Sequence, residues 1–427
     1  MSELLVKGYL NTVIKVRVDK FSVLLCAVLV IGFGLRLALA LTMDNKISWE
    51  DESDYLDLAQ KISNGAGYVL ADGSPTAFRA PGYPAFLTLL HLGGLTSPLA
   101  VRIIQALLAT IIIWLVYRLG SELMNRAAGL TGAALTAIYP YYIFMPATLL
   151  AETLFTTLLL AAVLLFHLSL RTGRGKLLLG SGTLMGFAIL TRPAAWALTG
   201  GILFWLLFIT RYPARQRLGL AALFFIAVLL TVTPWMTRNY VRLGSFALAT
   251  NGGRNFWLGN NSAATINSGS NIAMDAEMNR IIENAAGETA RERIYYDEAF
   301  RYIQSHPRQF IVLTFSKALA FWRWTPSPVT DNNYARSNLM NWLSVLSVAP
   351  VFILAVAGYI LVSAELRSKI SLWLIMALFY TAIHALYISK VRFRLPLDAF
   401  MIMAAAFTLV QASAKLRQLV KRTAKVS

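Results

Sequence analysis

Between residues 48 and 84 the chain concentrates groups that could do acid–base or anion chemistry. Glu50, Asp51, Glu52 and Asp54 crowd four carboxylates into one short stretch. Tyr55, Leu58, Ala59 and Ile62 follow at the i, i+3, i+4, i+7 spacing of a helical apolar stripe. Asn64 to Gly67 end that stripe, because Asn and Gly tolerate the left-handed conformation of a helix stop. Arg79 then precedes a rigid turn, Ala80-Pro81-Gly82-Tyr83-Pro84. Acids at a helix start have an ordinary explanation. Ser48 with Asp51 three residues later fits a capping box, and first-turn carboxylates complement the helix macrodipole. That explains one or two of the four, and it does not explain the Arg79 turn.

Two further groups stand out. Glu152 lies at the start of an apolar helix, in Ala151-Glu152-Thr153-Leu154-Phe155. A carboxylate there is either a costly functional group or a solvated helix cap. The stretch 389–396 holds Lys390, Arg392 and Arg394. Arginine grips phosphate through a planar fork, although such residues also bind ordinary anionic headgroups.

The elements that must position these groups are membrane helices. Hydrophobic residues make up 57% of the 427 and charged ones 14%, with mean hydropathy +0.58, which defines a polytopic membrane protein. The single cysteine, Cys26, excludes a disulfide framework or a cysteine metal site. The net charge of +18 invites a nucleic-acid partner, but its distribution rejects one. The segments expected in the cytoplasm hold nineteen Lys and Arg and four acids, +15 of the +18. That is the positive-inside pattern.

This pattern orders the chain as one integral membrane domain, 1–427, with ten spans and both ends in the cytoplasm. Residues 43–97 form a first external loop carrying the acidic motif. Residues 238–308 form a large external loop, read mainly as a helical cap. Residues 309–324, with Lys317 in their middle, are expected as an interfacial or re-entrant helix, because a crossing there would put the basic tail outside. Residues 389–396 form an outer basic turn. Arg36, in the outer half of the first span, either pairs with a loop carboxylate or snorkels to the interface.

The pattern Asp51-Glu52-x-x-Tyr55-x-x-x-Ala59, then Gly65, then Arg79-x-Pro81-Gly82-Tyr83-Pro84, resembles the first external loop of the family 39 glycosyltransferases. These are the bacterial relatives of the protein O-mannosyltransferases and the lipid A aminoarabinose transferase. Pro234-Trp235-x-x-Arg238-Asn239-Tyr240, Gly259-Asn260-Asn261 and Arg392-x-Arg394-x-Pro396 resemble later parts of the same family. The resemblance implies an all-α GT-C-like bundle in the bacterial inner membrane, with its active site on the external, periplasmic face. It gives the essential carboxylate to Asp51, beside Glu52, and a second carboxylate to Glu152.

The chemistry expected is inverting transfer of a hexosyl or pentosyl group from a polyprenyl-phosphate donor to a hydroxyl of a glycan, lipid or protein. A carboxylate takes or orients the acceptor proton. Cations at Arg79, Lys390, Arg392 and Arg394 receive the departing phosphate. The cofactor stays open, since Asp51 and Glu152 could also bind a divalent metal. A transporter and a polyprenyl-linked glycan ligase or flippase are the alternatives. The first predicts internal repeats, which are not evident in the sequence; the second should depend less on Asp51.

Overall fold

The computed structural model describes residues 19–44, 49–269, 272–326 and 338–426. Ser48 and the basic residues before Asp19 lie outside them. Helix makes up 79% of the structure. No strand occurs among the described residues, only one bridge between Val69 and Pro75, so backbone groups are paired within helices, as lipid requires.

The first span, α1 (Lys20–Thr42), leads to two short helices, α2 (Glu50–Ser63) and α3 (Gly82–Leu92). Helix α4 (Pro98–Leu123) begins behind Ser97, whose hydroxyl accepts from Ala100 N, with Pro98 at the first position. The return leg is split: α5 (Arg126–Ile138) stops before Pro140, and α6 (Pro140–Phe144) resumes at an angle. Helices α7 (Glu152–Thr172), α8 (Gly175–Thr191), α9 (Ala195–Phe204) and α10 (Ala214–Leu243) follow. The cap contains α11 (Gly252–Gly259), α12 (Ala276–Glu283) and α13 (Glu288–Ser305). Helix α14 (Pro307–Phe321) precedes α15 (Asn338–Leu361), α16 (Ala364–Leu386) and α17 (Leu395–Val426).

Among the described residues seven helices are long and apolar enough to cross a bilayer: α1, α4, α7, α10, α15, α16 and the helix running through α17. Two shorter apolar helices, Gly175–Thr191 and Ala195–Ile209, and the split leg α5–α6 add to them. The expected bundle of about ten helices is thereby borne out. Lipid offers little hydrophobic drive, so the helices associate through close packing. At the α4–α5 crossing a Cβ on Gly120 would lie 2.9 Å from the Gly129 Cα, and one on Gly129 would lie 2.5 Å from the Tyr117 carbonyl.

Arg36 takes neither of its expected roles. It is 1% exposed, and it donates to Gly32 O (2.7 Å), Thr136 O (3.0 Å) and Ala137 O (3.0 Å). Helix α5 ends before a proline without an N–H, so its last carbonyls lose their α-helical partners, and Thr136 O keeps only a long 3.4 Å contact from Tyr139 N. Arg36 supplies the missing donors from the neighbouring span.

Helix α14 has 15 residues, fewer than the ~20 a crossing needs. Lys317 Nζ donates to Gly259 O (3.1 Å) and Tyr387 O (2.8 Å). Trp322 Nε1 donates to Thr381 Oγ1 (3.1 Å). The helix thus lies against the last turns of α16.

Asp72 lies at the end of the bundle that carries α2 and α3. The start of α8 and the tail of α17 lie at the other end. In a Cys26→Ser background, a cysteine at 72 is expected to react with an impermeant thiol reagent from outside. Cysteines at 174 and 420 should react only from inside. External labelling at 420 would overturn this orientation.

Candidate active site

The α2 end of the bundle opens into a cleft of about 1320 Å³. Asp51, Arg79, Glu152, Arg192, Lys390 and Arg392 line it, although they come from positions far apart in the chain.

The first loop is fixed by hydrogen bonds. Glu52 occupies the third position of α2, where its Oε2 accepts from Trp49 N (3.2 Å), one arm of a capping box. Its Oε1 accepts from Leu149 N (2.9 Å), and the residue is 2% exposed. Glu52, expected beside Asp51 in catalysis, lines the same cleft and ties α2 to the corner that presents Glu152. That corner is also held by Arg102 Nε on Ala147 O (2.9 Å) and by Gln105 Nε2 on Thr148 O (2.6 Å). Tyr83 OH completes the link by donating to Gln105 Oε1 (3.0 Å).

Gly82 explains the rigid turn. A Cβ there would lie 2.8 Å from the Leu190 carbonyl carbon and the Thr191 nitrogen. Only glycine lets this turn press on the end of α8, which brings Arg79 and Arg192 to one cleft. The later motif residues are scaffolding too. Arg238 donates to Thr76 O (2.7 Å) and Tyr68 O (2.8 Å), and Tyr68 OH donates to Arg79 O (2.8 Å). Asn260 Nδ2 donates to Leu386 O (2.8 Å).

The charged groups alternate in sign. Arg79 Nη2 lies 2.7 Å from Asp54 Oδ2 and 2.7 Å from Asp51 Oδ1. Asp51 Oδ2 lies 2.8 Å from Arg392 Nη2. Arg392 Nε is 3.6 Å from Glu152 Oε1, which lies 2.7 Å from Arg192 Nη1. Burial disfavours the charged form of Asp51, but the guanidinium groups of Arg392 and Arg79 outweigh it. They hold the carboxyl well below the usual range. The Asp51 side chain stays 28% exposed, against 3% for Glu152. Of the two, Asp51 is the carboxylate a substrate can reach.

Arg392 stacks over Trp49 (5.0 Å) and Phe393 (5.2 Å), which fixes the guanidinium plane. Its buried Nη1 has no acceptor among the described residues. Lys390 donates to Asn267 O (2.8 Å). Burial, with Arg392 and Arg323 adding repulsion, pushes its ammonium down to about 8.

Arg394 does not reach the cleft. It is wholly buried, with Nε 2.8 Å from Asp398 Oδ1 and Nη1 on Phe321 O (3.2 Å) and Arg323 O (2.8 Å). Asp398 also accepts from Tyr139 OH (3.1 Å). The Arg-x-Arg spacing in a 3₁₀ turn, Val391–Arg394, sends the two side chains to different places. The Arg394 charge is spent inside the bundle, and the phosphate role expected for it does not fit this position. Arg394→Leu should lower stability by about 3–5 kcal/mol by stranding Asp398. Adding Asp398→Leu should recover much of that loss. Thermal unfolding of the purified single and double variants checks this.

Arg192 also belongs to this cluster, and no local sequence pattern marks it as a site residue. A divalent metal on Asp51 and Glu152 does not fit the donor set. Arg392 stands between the two carboxylates, and no cluster of three His, Cys, Asp or Glu occurs among the described residues.

Residues 79–236, a little over a third of the chain, match a family model described as dolichyl-phosphate-mannose-protein mannosyltransferase. The matched region holds Arg79, Glu152 and Arg192 but not Asp51. A comparison with curated protein sequences gives no match. Among solved structures, the oligosaccharyltransferase AglB from Archaeoglobus fulgidus, with an inhibitory peptide and dolichol-phosphate, superposes at TM-score 0.55 and 15% identity. That alignment covers 93% of this chain and 52% of that one. The apo form gives 0.57 and 16%, covering 96% and 52%. ArnT from Cupriavidus metallidurans bound to undecaprenyl phosphate gives 0.48 and 15%, covering 92% and 79%.

The fold is therefore the GT-C fold, as the loop motifs implied. The chain spans about half the length of the archaeal structures it resembles.

Proposed function

We propose that this protein is an inverting glycosyltransferase that moves a sugar from a polyprenyl-phosphate donor to an acceptor hydroxyl at the outer face of a bacterial inner membrane. One observation carries the reading: a partly exposed, ionised carboxylate, Asp51, is gripped between Arg79 and Arg392 in the wall of a large cleft. The family match to dolichyl-phosphate-mannose-dependent enzymes supports it, as does the GT-C fold.

In the reaction the acceptor oxygen attacks the anomeric carbon as the bond from that carbon to the donor phosphate breaks. The phosphate leaves as an anion, so it needs cations rather than a proton. Arg392 supplies a fixed guanidinium whose Nη1 has no acceptor among the described residues, and Lys390 an ammonium beside it that keeps one bond to Asn267 O. The acceptor proton passes to Asp51. A carboxyl held so far down is a weak base, which suits a late transfer. The attacking hydroxyl becomes strongly acidic only once its oxygen bonds to carbon. Before that, Asp51 orients the hydroxyl. A single displacement inverts the anomeric carbon, as with single-displacement glycosidases.

The decisive assay is turnover of mannosyl and aminoarabinosyl phosphoundecaprenol by purified protein in nanodiscs supplied with hydroxyl acceptors of the glycan, lipid and peptide classes, read as release of undecaprenyl phosphate. No release from either donor, with no binding of undecaprenyl phosphate, would overturn the reading.

Lys390 adds a pH signature. Its ammonium is present below about pH 8 and lost above. A bound phosphate favours the charged form, so affinity for undecaprenyl phosphate should weaken as pH rises through 8. The fall should approach about tenfold per pH unit, and Lys390→Arg should remove it. A wild-type affinity that stays flat from pH 7 to 9.5 would take Lys390 out of the phosphate site.

A further inference from the structure

The cleft has a second wall that the donor chemistry does not use. It comes from the large external loop, read from sequence mainly as a plain cap. We infer that α11 and α13, with the end of α16, hold an acceptor subsite there, in which Glu292 and Tyr296 of the loop, Tyr387 at the α16 C-terminus, and Asn251 and Asn255 bind the hydroxyl-rich carbohydrate end of the acceptor. This rests on the function proposed above, because it fills the other half of the same cleft.

All five residues line the cavity that also holds Asp51 and Arg392. Their chemistry differs from that of the donor side. It consists of two amides, two phenols and one carboxyl, groups that both donate and accept hydrogen bonds, as sugar hydroxyls do. Arg254 is the one cation the described part of this loop adds to the lining. Tyr296 OH and Tyr387 OH lie 3.1 Å apart, so the two phenols face one point. Phe256 packs on both rings, at 5.6 Å and 5.1 Å, and Phe300 stacks on Tyr296 at 6.3 Å. The wall is therefore rigid and aromatic behind its polar edge, as a site for a ring with one apolar face requires.

Two glycines make the wall. A Cβ on Gly252 would lie 2.7 Å from Tyr296 Oη and 3.2 Å from Glu292 Oε1, and one on Gly253 would lie 2.3 Å from Glu292 O. Only glycine lets α11 come this close to α13 while leaving both side chains room beside the cavity. The nearby backbone amides of Gly253 and Gly252 favour the charged form of Glu292. Burial, helped by Glu288 one turn earlier, nevertheless pushes its carboxyl up to about 7. At neutral pH it is therefore often protonated and can donate as well as accept.

The test is binding of a panel of neutral methyl glycosides of mannose, glucose, galactose and N-acetylglucosamine. It uses saturation-transfer NMR on the full chain in nanodiscs, with undecaprenyl phosphate present. At least one glycoside is expected to bind wild type. Glu292→Gln and Tyr296→Phe, which keep shape, are each expected to weaken it about tenfold, the effect of one lost hydrogen bond that leaves a partner unpaired. Undecaprenyl phosphate should bind both variants as it binds wild type, which also reports an intact fold. The inference is overturned if no glycoside binds wild type, or if both variants bind the glycoside unchanged. Failure of the underlying functional reading looks different, since undecaprenyl phosphate itself would then not bind.

Discussion

Asp51→Asn is expected to reduce sugar transfer by about two to four orders of magnitude, the usual range for a lost general base. The asparagine keeps the size of the side chain, and its one amide oxygen can still accept from Arg79 or Arg392, while its NH2 faces the other guanidinium as a donor. It loses the charge that both guanidinium groups face at 2.7 and 2.8 Å. Protein yield and thermal stability should change little, because Asn replaces Asp in a first helical turn at small cost. Glu52→Gln is expected to behave differently. Both its oxygens accept backbone hydrogen bonds, from Trp49 and Leu149, so the change should act on the seating of α2 and lower stability. Steady-state turnover and thermal unfolding of the two variants separate these roles. Full activity in Asp51→Asn, with a folded but inactive Glu52→Gln, would transfer the assignment to the neighbour.

The first loop was readable because its chemistry is local. The four acids, the helical stripe behind them and the Arg79 turn all stand within forty residues, and each breaks the surrounding hydrophobicity. Bundle size was readable for the same reason, since apolar runs and alternating basic turns are one-dimensional signals. What sequence could not show was which cations share a space. Arg392 and Arg394 look equivalent, yet a tight turn sends one to the cleft and the other to Asp398 inside the bundle. Arg192 carries no local signal because Glu152, its partner, lies forty positions earlier. The carbonyls that Arg36 satisfies are made available by a proline a hundred residues away. In each case the missing information is a long-range pairing that no local pattern encodes.

Arg392→Ala should have the second-largest effect, because Arg392 joins the two halves of the chemistry. Its Nη2 holds Asp51 at 2.8 Å, while its Nη1 has no acceptor among the described residues and is the donor proposed for a phosphate oxygen. Removing a charge-assisted contact costs about 1.5–3 kcal/mol, a loss of roughly ten- to a hundredfold in donor affinity. Lysine at 392 should recover only part of that, because it lacks the fork and cannot stack flat on Trp49 and Phe393. The variant should also change the pH profile. In wild type the neighbouring guanidinium groups depress Asp51, so its ionised, active form persists far into acid. Without Arg392 the carboxyl rises towards its ordinary range, and activity should begin to fall at a higher pH as the solution is acidified. A headgroup-binding arginine at the membrane surface would produce no such displacement. The measurement is donor KM and turnover from pH 4 to 8 for wild type, Arg392→Ala and Arg392→Lys. Donor kinetics and an acid limb both unchanged in Arg392→Ala would remove Arg392 from the site and leave the phosphate without its principal ligand.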